Sequence, residues 1–304
     1  MKKVLKWNNL STAVIAVALA LASCSKSTDN PLSSSDSQNV NSESVADSYT
    51  SETSDMTNSV TSSITNTQYQ IGRVDGGIVL TGLGDKDSRL KGAIVTITPT
   101  GTNKDNPSGT ITIDFGASPG IVTDGITRIG KIIITYSGKK GVTKSTRAIS
   151  YSGYSRNGVV FDNGMTFTIT NVQDSTVFHH VLAGGLLTFP DNDKTTITRI
   201  SDYYVTLSYS AKTLTLSATP GITGHSASGT TRGGKPYTMD ITTALVYKAE
   251  CVATKVFIPV SGAKSITAGA LTYTINYGEG TCDNTITITV GGKSVTITVS
   301  GDGN

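Results

Sequence analysis

The sequence predicts an all-β fold of antiparallel hairpins, set as a β-sandwich or an extended meander with an internal repeat, behind a disordered N-terminal tether. Three observations predict it. Short runs alternate apolar and Thr residues with period two, at 110–115, 166–170, 213–217 and 285–290. Alternation of this kind puts apolar side chains on one face and hydroxyls on the other, as in half-buried antiparallel strands, and β-branched residues fit the pleat. Turn formers separate the runs: Arg156-Asn157-Gly158, Asp162-Asn163-Gly164, Ser137-Gly138-Lys139 and Val290-Gly291-Gly292. Lastly, one strand-like pentapeptide occurs twice.

Residues 1–23 read as a secretory signal. Lys2, Lys3 and Lys6 precede an uncharged apolar run from Leu10 to Ala22. That run is too short to span a bilayer, which takes about 20 residues. It ends in Leu21-Ala22-Ser23-Cys24, which resembles the bacterial lipoprotein signal. The resemblance implies cleavage before Cys24 and a lipid-modified cysteine as the new N-terminus, a stable anchor when two or more acyl chains are present. Ser25 in place of Asp disfavours inner-membrane retention by analogy with enterobacterial sorting. The expected location is therefore the outer membrane, on its periplasmic or its surface face.

Residues 24–67 are rich in Ser, Thr, Asn and Asp. Such a composition does not bury enough apolar surface to offset its ordering entropy, and predicts a disordered tether. The segment is acidic, with Lys26 facing Asp29, Asp36, Glu43, Asp47, Glu52 and Asp55. Loss of the signal removes three of the 25 basic residues and leaves as many as the 22 acidic ones. The chain beyond the tether is thus mildly basic, without the basic stripe that nucleic-acid binding needs. It divides into 68–190 and 191–304, each β-rich and each with one copy of the repeat, although 68–304 also reads as one domain. Around Thr81–Lys91 a short helix is expected. Cys251 and Cys282 are an even pair in an exported chain, so a disulfide is expected.

The repeat is Thr112-Ile113-Asp114-Phe115-Gly116 against Thr274-Ile275-Asn276-Tyr277-Gly278, followed at equal distance by Gly130-Lys131 and Gly292-Lys293. Gly125 to Lys131, with Arg128, also matches Gly229 to Lys235, with Arg232 and Gly234. These Gly-Lys pairs are expected to open strands at hairpin turns. Together with Cys251, Tyr273–Gly280 and the C-terminal run, these residues resemble a group of uncharacterised Bacteroidota outer-membrane lipoproteins over about residues 92–301. That resemblance implies an address and carries no activity or site residue.

Catalytic and metal signals are near misses. Gly125–Lys131 has the glycines and lysine of a phosphate loop, but Ile132 stands where Ser or Thr would hold magnesium, and strand-like residues come next instead of a helix. Gly153-Tyr154-Ser155-Arg156-Asn157 and Gly224-His225-Ser226-Ala227-Ser228 each lack the last Gly of a nucleophile elbow. His179 and His180, adjacent in a strand, point to opposite faces. Asp191-Asn192-Asp193 starts like a calcium loop, but Thr196 occupies the tight-turn glycine position; a side-chain-capped turn fits better. No cofactor or metal is expected. Tyr151, Tyr154, Tyr203, Tyr204 and Tyr209 are candidates for a sugar-binding platform, or ordinary sheet residues. The expected function is a non-catalytic binding, adhesion or envelope-structural protein, with a glycan or an envelope protein as partner besides the membrane. The alternative is a glycan-active or hydrolytic lipoprotein.

Overall fold

The computed structural model describes residues 34–298, apart from 65–70, 75–76, 81, 101–104, 124, 222–223, 255 and 257. One helix, α1 (Ser34–Ile64), precedes β1 (Ile71–Val74), β2 (Gly77–Leu80), β3 (Ile94–Pro99), β4 (Ser108–Asp114), β5 (Ile121–Thr123) and β6 (Ile126–Ser137). Next come β7 (Thr146–Arg156), β8 (Val159–Phe161), β9 (Thr166–Gln173), β10 (Val177–Thr188), β11 (Thr196–Ser208) and β12 (Thr213–Ala218). The last strands are β13 (Ala227–Thr230), β14 (Pro236–Lys248), β15 (Ser261–Ala268), β16 (Leu271–Glu279), β17 (Thr285–Val290) and β18 (Lys293–Thr298).

All recorded pairings are antiparallel and belong to one sheet of 18 strands. The main strands pair with their neighbours in the chain, so the connectivity is that of a meander. Short strands are inserted in it: β5 beside β6, β8 between β7 and β10, and β13 between β11 and β14. The sheet runs through the 190/191 boundary without a break, because β10 pairs with β11 across it.

The period-two pattern sets which face is dry. In β4, Ile111 and Ile113 are buried; in β9, Phe167 and Ile169; in β17, Ile286 and Ile288. The intervening threonines face outward and pair across strands, as Thr198 with Thr230 (2.8 Å) and Thr267 with Thr272 (3.0 Å). Cross-strand pairs of this kind contribute roughly 0.2–1 kcal/mol each. The apolar faces form two core clusters. One joins Ile111, Ile132, Phe161 and Phe167 of the first half to Ala46, Met56 and Val60 of α1. The other joins Tyr203, Met239, Ile266, Tyr273 and Ile288 of the second half to Val40 of α1.

The expectation of a disordered tether over 24–67 is corrected at its centre, where Ser34–Ile64 is an α-helix. Residues of β6, β7, β11 and β15 all bond to it. The sheet therefore wraps around the helix, which lies in its interior. The segment has neither Gly nor Pro. Its hydroxyl-rich composition gives low intrinsic helix propensity, yet its buried hydroxyls find partners within the helix. Thr50 Oγ1 donates to the Ala46 carbonyl (3.1 Å), Thr53 to Thr50 (2.9 Å), Thr57 to Ser54 (2.7 Å) and Thr61 to Thr57 (2.8 Å). This back-bonding lets a polar helix be enclosed without orphaned hydroxyls. The helix expected at Thr81–Lys91 is two short 3-10 turns, Leu83–Asp85 and Ser88–Leu90.

The repeat is a shared local device. At the end of β4, Asp114 Oδ1 accepts from the Gly116 N–H (2.8 Å); in β16, Asn276 Oδ1 accepts from the Gly278 N–H (2.7 Å). Both glycines have positive φ, and the residue between, Phe115 or Tyr277, is buried. The Gly-Lys pairs downstream are used differently. Gly292-Lys293 does open a strand, β18, after a turn in which Gly291 and Gly292 both have positive φ. Gly234 lies in the β13–β14 turn, and Lys235 directly precedes β14. Gly130-Lys131 departs from the expectation. It is a bulge inside β6, where φ is +80° and a Cβ would come within 2.2 Å of the Gly153 carbonyl oxygen. Cys251 and Cys282 form the expected disulfide, which joins the 3-10 turn Ala249–Thr254 to the loop between β16 and β17.

Candidate functional site

The acids of α1 meet the cations of the sheet. Glu43, with no exposed surface, lies 3.0 Å from Lys264 of β15 and 3.5 Å from Arg199 of β11, whose guanidinium also lies 2.7 Å from Asp47. Glu52 takes Arg128 of β6 and Arg156 of β7. Burial disfavours the charge of Arg199, but Asp47 and Glu43 more than offset it and hold the group cationic. Burial opposes the Glu43 carboxylate too, and Lys264 and Arg199 overcome it, so its pKa is lowered. These contacts fix the position of the helix. A register shift would leave buried charges unpaired, at a cost of several kcal/mol per ion.

From Ser51 on, the helix surface turns to Ser51, Ser54, Asn58, Ser59 and Thr61, and a cavity of about 810 Å³ opens between it and part of the facing strands. This size lies within the roughly 300–1,000 Å³ of small-molecule sites. The sheet wall supplies the apolar lining, with Ile111, Phe167, Ile169, Phe178, Val205 and Leu216. Polar groups stand among them, including Tyr136, Arg147, Asn171, His180 and Tyr203. Arg147 Nη1 donates to Asn58 Oδ1 (2.6 Å) and Thr61 Oγ1 (3.1 Å), and burial lowers its pKa to about 10. Lys140, exposed at the edge of the cavity, donates to Ser62. Burial, then Arg147 and His179, hold His180 at about 3, so its imidazole is neutral. Asp55 is pushed well up by burial, with Asp87 and Glu52 adding to the effect against Arg89. Its carboxyl is thus protonated across the ordinary carboxylate range.

The residues singled out in the sequence are scattered. Arg128 is not a turn residue; it is fully buried on Glu52. Lys131 makes a surface pair with Asp114 (2.9 Å). Arg232 stacks over Phe189 (4.2 Å) and pairs with Asp191. Asp191 also accepts from the Thr195 N–H (2.9 Å), so that segment is a capped turn. His179 and His180 do face opposite ways, His179 lying 2.7 Å from Asp202 on the outer face. The five tyrosines make no common platform: Tyr151, Tyr154 and Tyr203 are buried, Tyr204 stacks on His179 and Tyr209 is exposed. Lys235, Gly292 and Lys293 stand apart from the cavity, and Cys24 lies outside the described residues.

Sequence patterns alone did not reveal the roles of the α1 acids or of Arg147, Arg199 and Lys264. A signal for each was present. Val45, Tyr49, Met56 and Val60 recur at helical spacing of four and seven. Arg199 and Lys264 occupy inward phases of alternating strands, where a cation requires a buried partner. Comparison with protein-family models, curated proteins and solved structures found no match.

Proposed function

We propose that this chain is an exported lipoprotein, held on the outer membrane through lipid on Cys24, whose folded part is a non-catalytic binding protein for a small ligand. The address rests on the signal-like residues 1–23 and the Leu21–Cys24 box. The binding reading rests on one observation, the cavity between the polar second half of α1 and the apolar strand face. The glycan-active alternative would need two carboxylates flanking a bond, one of them ionised. The cavity wall carries two acids, Asp55, whose pKa burial raises, and the exposed Asp85, so this alternative rests on that one pair.

Two experiments test this reading. Cells fed an alkyne fatty acid should label the protein, and Cys24→Ala should abolish the label; label that survives the substitution removes the anchor. A chain beginning at residue 25, which retains the whole described fold, should enhance the fluorescence of N-phenyl-1-naphthylamine, an uncharged apolar probe. Leu207→Trp, which fills the cavity from β11, should abolish that signal while the far-ultraviolet circular dichroism stays unchanged. Enhancement that persists in Leu207→Trp would place the probe elsewhere and defeat the binding reading.

A further inference from the structure

The cavity is chemically two-sided. Alternate strands of a meander end on the same side, so the β6–β7, β9–β10 and β11–β12 turns share one end of the sheet. They are tied there: Ser175 Oγ donates to the Gly141 carbonyl (3.1 Å), and Tyr209 Oη donates to the Ser175 carbonyl (2.9 Å). All three turns line the cavity, and Lys139 and Lys140 stand exposed on the first of them. Arg147 comes next in β7, opposite Ile169 of β9. The cations lie on the β6–β7 side, and across from them at the same end Phe178, Val205, Leu207, Leu214 and Leu216 of β10–β12 give an apolar side.

Arg147 differs from the other inward cations. Arg128, Arg199 and Lys264 each hold a carboxylate of α1. Among the described residues Arg147 has no carboxylate within ion-pair distance, only the neutral oxygens of Asn58 and Thr61. Beside it in β9, toward the same end, Asn171 is 3% exposed, and neither atom of its side-chain amide is hydrogen-bonded. Its backbone is fully engaged with Lys144 and Ser145, so the amide is fixed in place on the wall. A guanidinium and an amide left this way are groups that an anionic acceptor would satisfy. Of the two acids on the lining, Asp55 has its charged form disfavoured by burial, and Asp85 sits beside Lys86.

Resting on the reading of the cavity as a ligand site, we propose that its ligand is a single-chain amphiphile with an anionic head. The acyl chain lies along Ile111, Phe167, Ile169 and Val205, where each methylene gains by leaving water. A carboxylate or phosphate head meets Arg147 and Lys140, with the Asn171 amide as a further donor. A purely apolar ligand would instead strip water from Arg147 and give nothing in return.

Displacement of N-phenyl-1-naphthylamine from the chain beginning at residue 25 tests the proposal, with oleate, 1-oleoyl lysophosphatidate and uncharged monoolein as competitors. At least one anion should displace the probe at a concentration about tenfold or more below that of monoolein, the scale of one charge-assisted hydrogen bond. The stronger of the two identifies the head as carboxylate or phosphate. Arg147→Gln and Lys140→Gln should each shrink the gap while leaving monoolein unchanged, and Arg147→Lys should retain most of it. Equal potency of all three competitors, or a gap that survives Arg147→Gln, overturns the anionic head. If the probe binds and none of the three displaces it, the amphiphile is overturned while the cavity remains a ligand site. If the probe itself fails to bind, both readings fall.

Discussion

Glu43 and Asp55 lie about three helical turns apart on α1 and are both buried, yet their surroundings treat them oppositely. Glu43 sits between Lys264 and Arg199 and stays ionised; Asp55 lacks a comparable cation and takes up a proton. Glu43→Gln leaves two buried cations without their shared carboxylate and should destabilise the protein by about 3–5 kcal/mol in urea denaturation. Adding Lys264→Met should recover part of that loss, because the two sites are coupled. Asp55 makes a prediction with a defined sign. Its folded pKa is raised above the unfolded value, so the folded state binds more protons, and stability falls as pH rises between the two values. Asp55→Asn removes this dependence. The variant should gain on the wild type by about 1.4 kcal/mol per pH unit across that interval. Urea midpoints at pH 4, 6 and 8 check it, and a difference that stays flat contradicts the protonated carboxyl.

At the scale of the element, α1 is where composition and structure part. Its Ser, Thr and Asn content is that of a solvated coil, and its helicity depends on what surrounds it. Ser48→Pro distinguishes the two states. Proline in a coil would be nearly neutral, whereas in the middle of α1 it removes a backbone hydrogen bond and clashes with the preceding turn, at about 3 kcal/mol. A thermal melt should show the larger loss. The strands behaved as their alternation indicated, because their partners are near neighbours in the chain and their apolar phase is local. The Asx turns of Asp114 and Asn276 were legible as a repeat for the same reason. The bulge at Gly130 was not, since the close approach that requires a glycine comes from Gly153 across the next strand.

For the whole molecule, the helix runs along both cores of the sheet, and Phe178 of β10 packs against the two of them. Val40 contributes to one and Ala46, Met56 and Val60 to the other. The halves should therefore unfold together. Tyrosine near-ultraviolet and backbone far-ultraviolet circular dichroism should give coincident urea transitions. Reduction of Cys251–Cys282, which lies wholly in the second half, should move that single transition, by roughly 3 kcal/mol on the loop-entropy model. A second transition at lower urea would show that the halves are independent.

The sequence by itself determined the class of the fold, the phase of its strands, many of its turns, the cysteine pair and the imbalance between an acidic N-terminal segment and a basic remainder. Only the tertiary structure decided what that imbalance is for. The acidic segment is tethered in sequence but enclosed in space, with Glu52 bonded to Arg128 across 76 residues and Glu43 to Lys264 across 221. No local window contains both partners. The ordering entropy of α1 is offset by charges and apolar surfaces that meet it only once the sheet has wrapped. The cavity has the same origin: the sheet encloses more volume than the second half of the helix fills, a property of the wrapped arrangement and of no single segment.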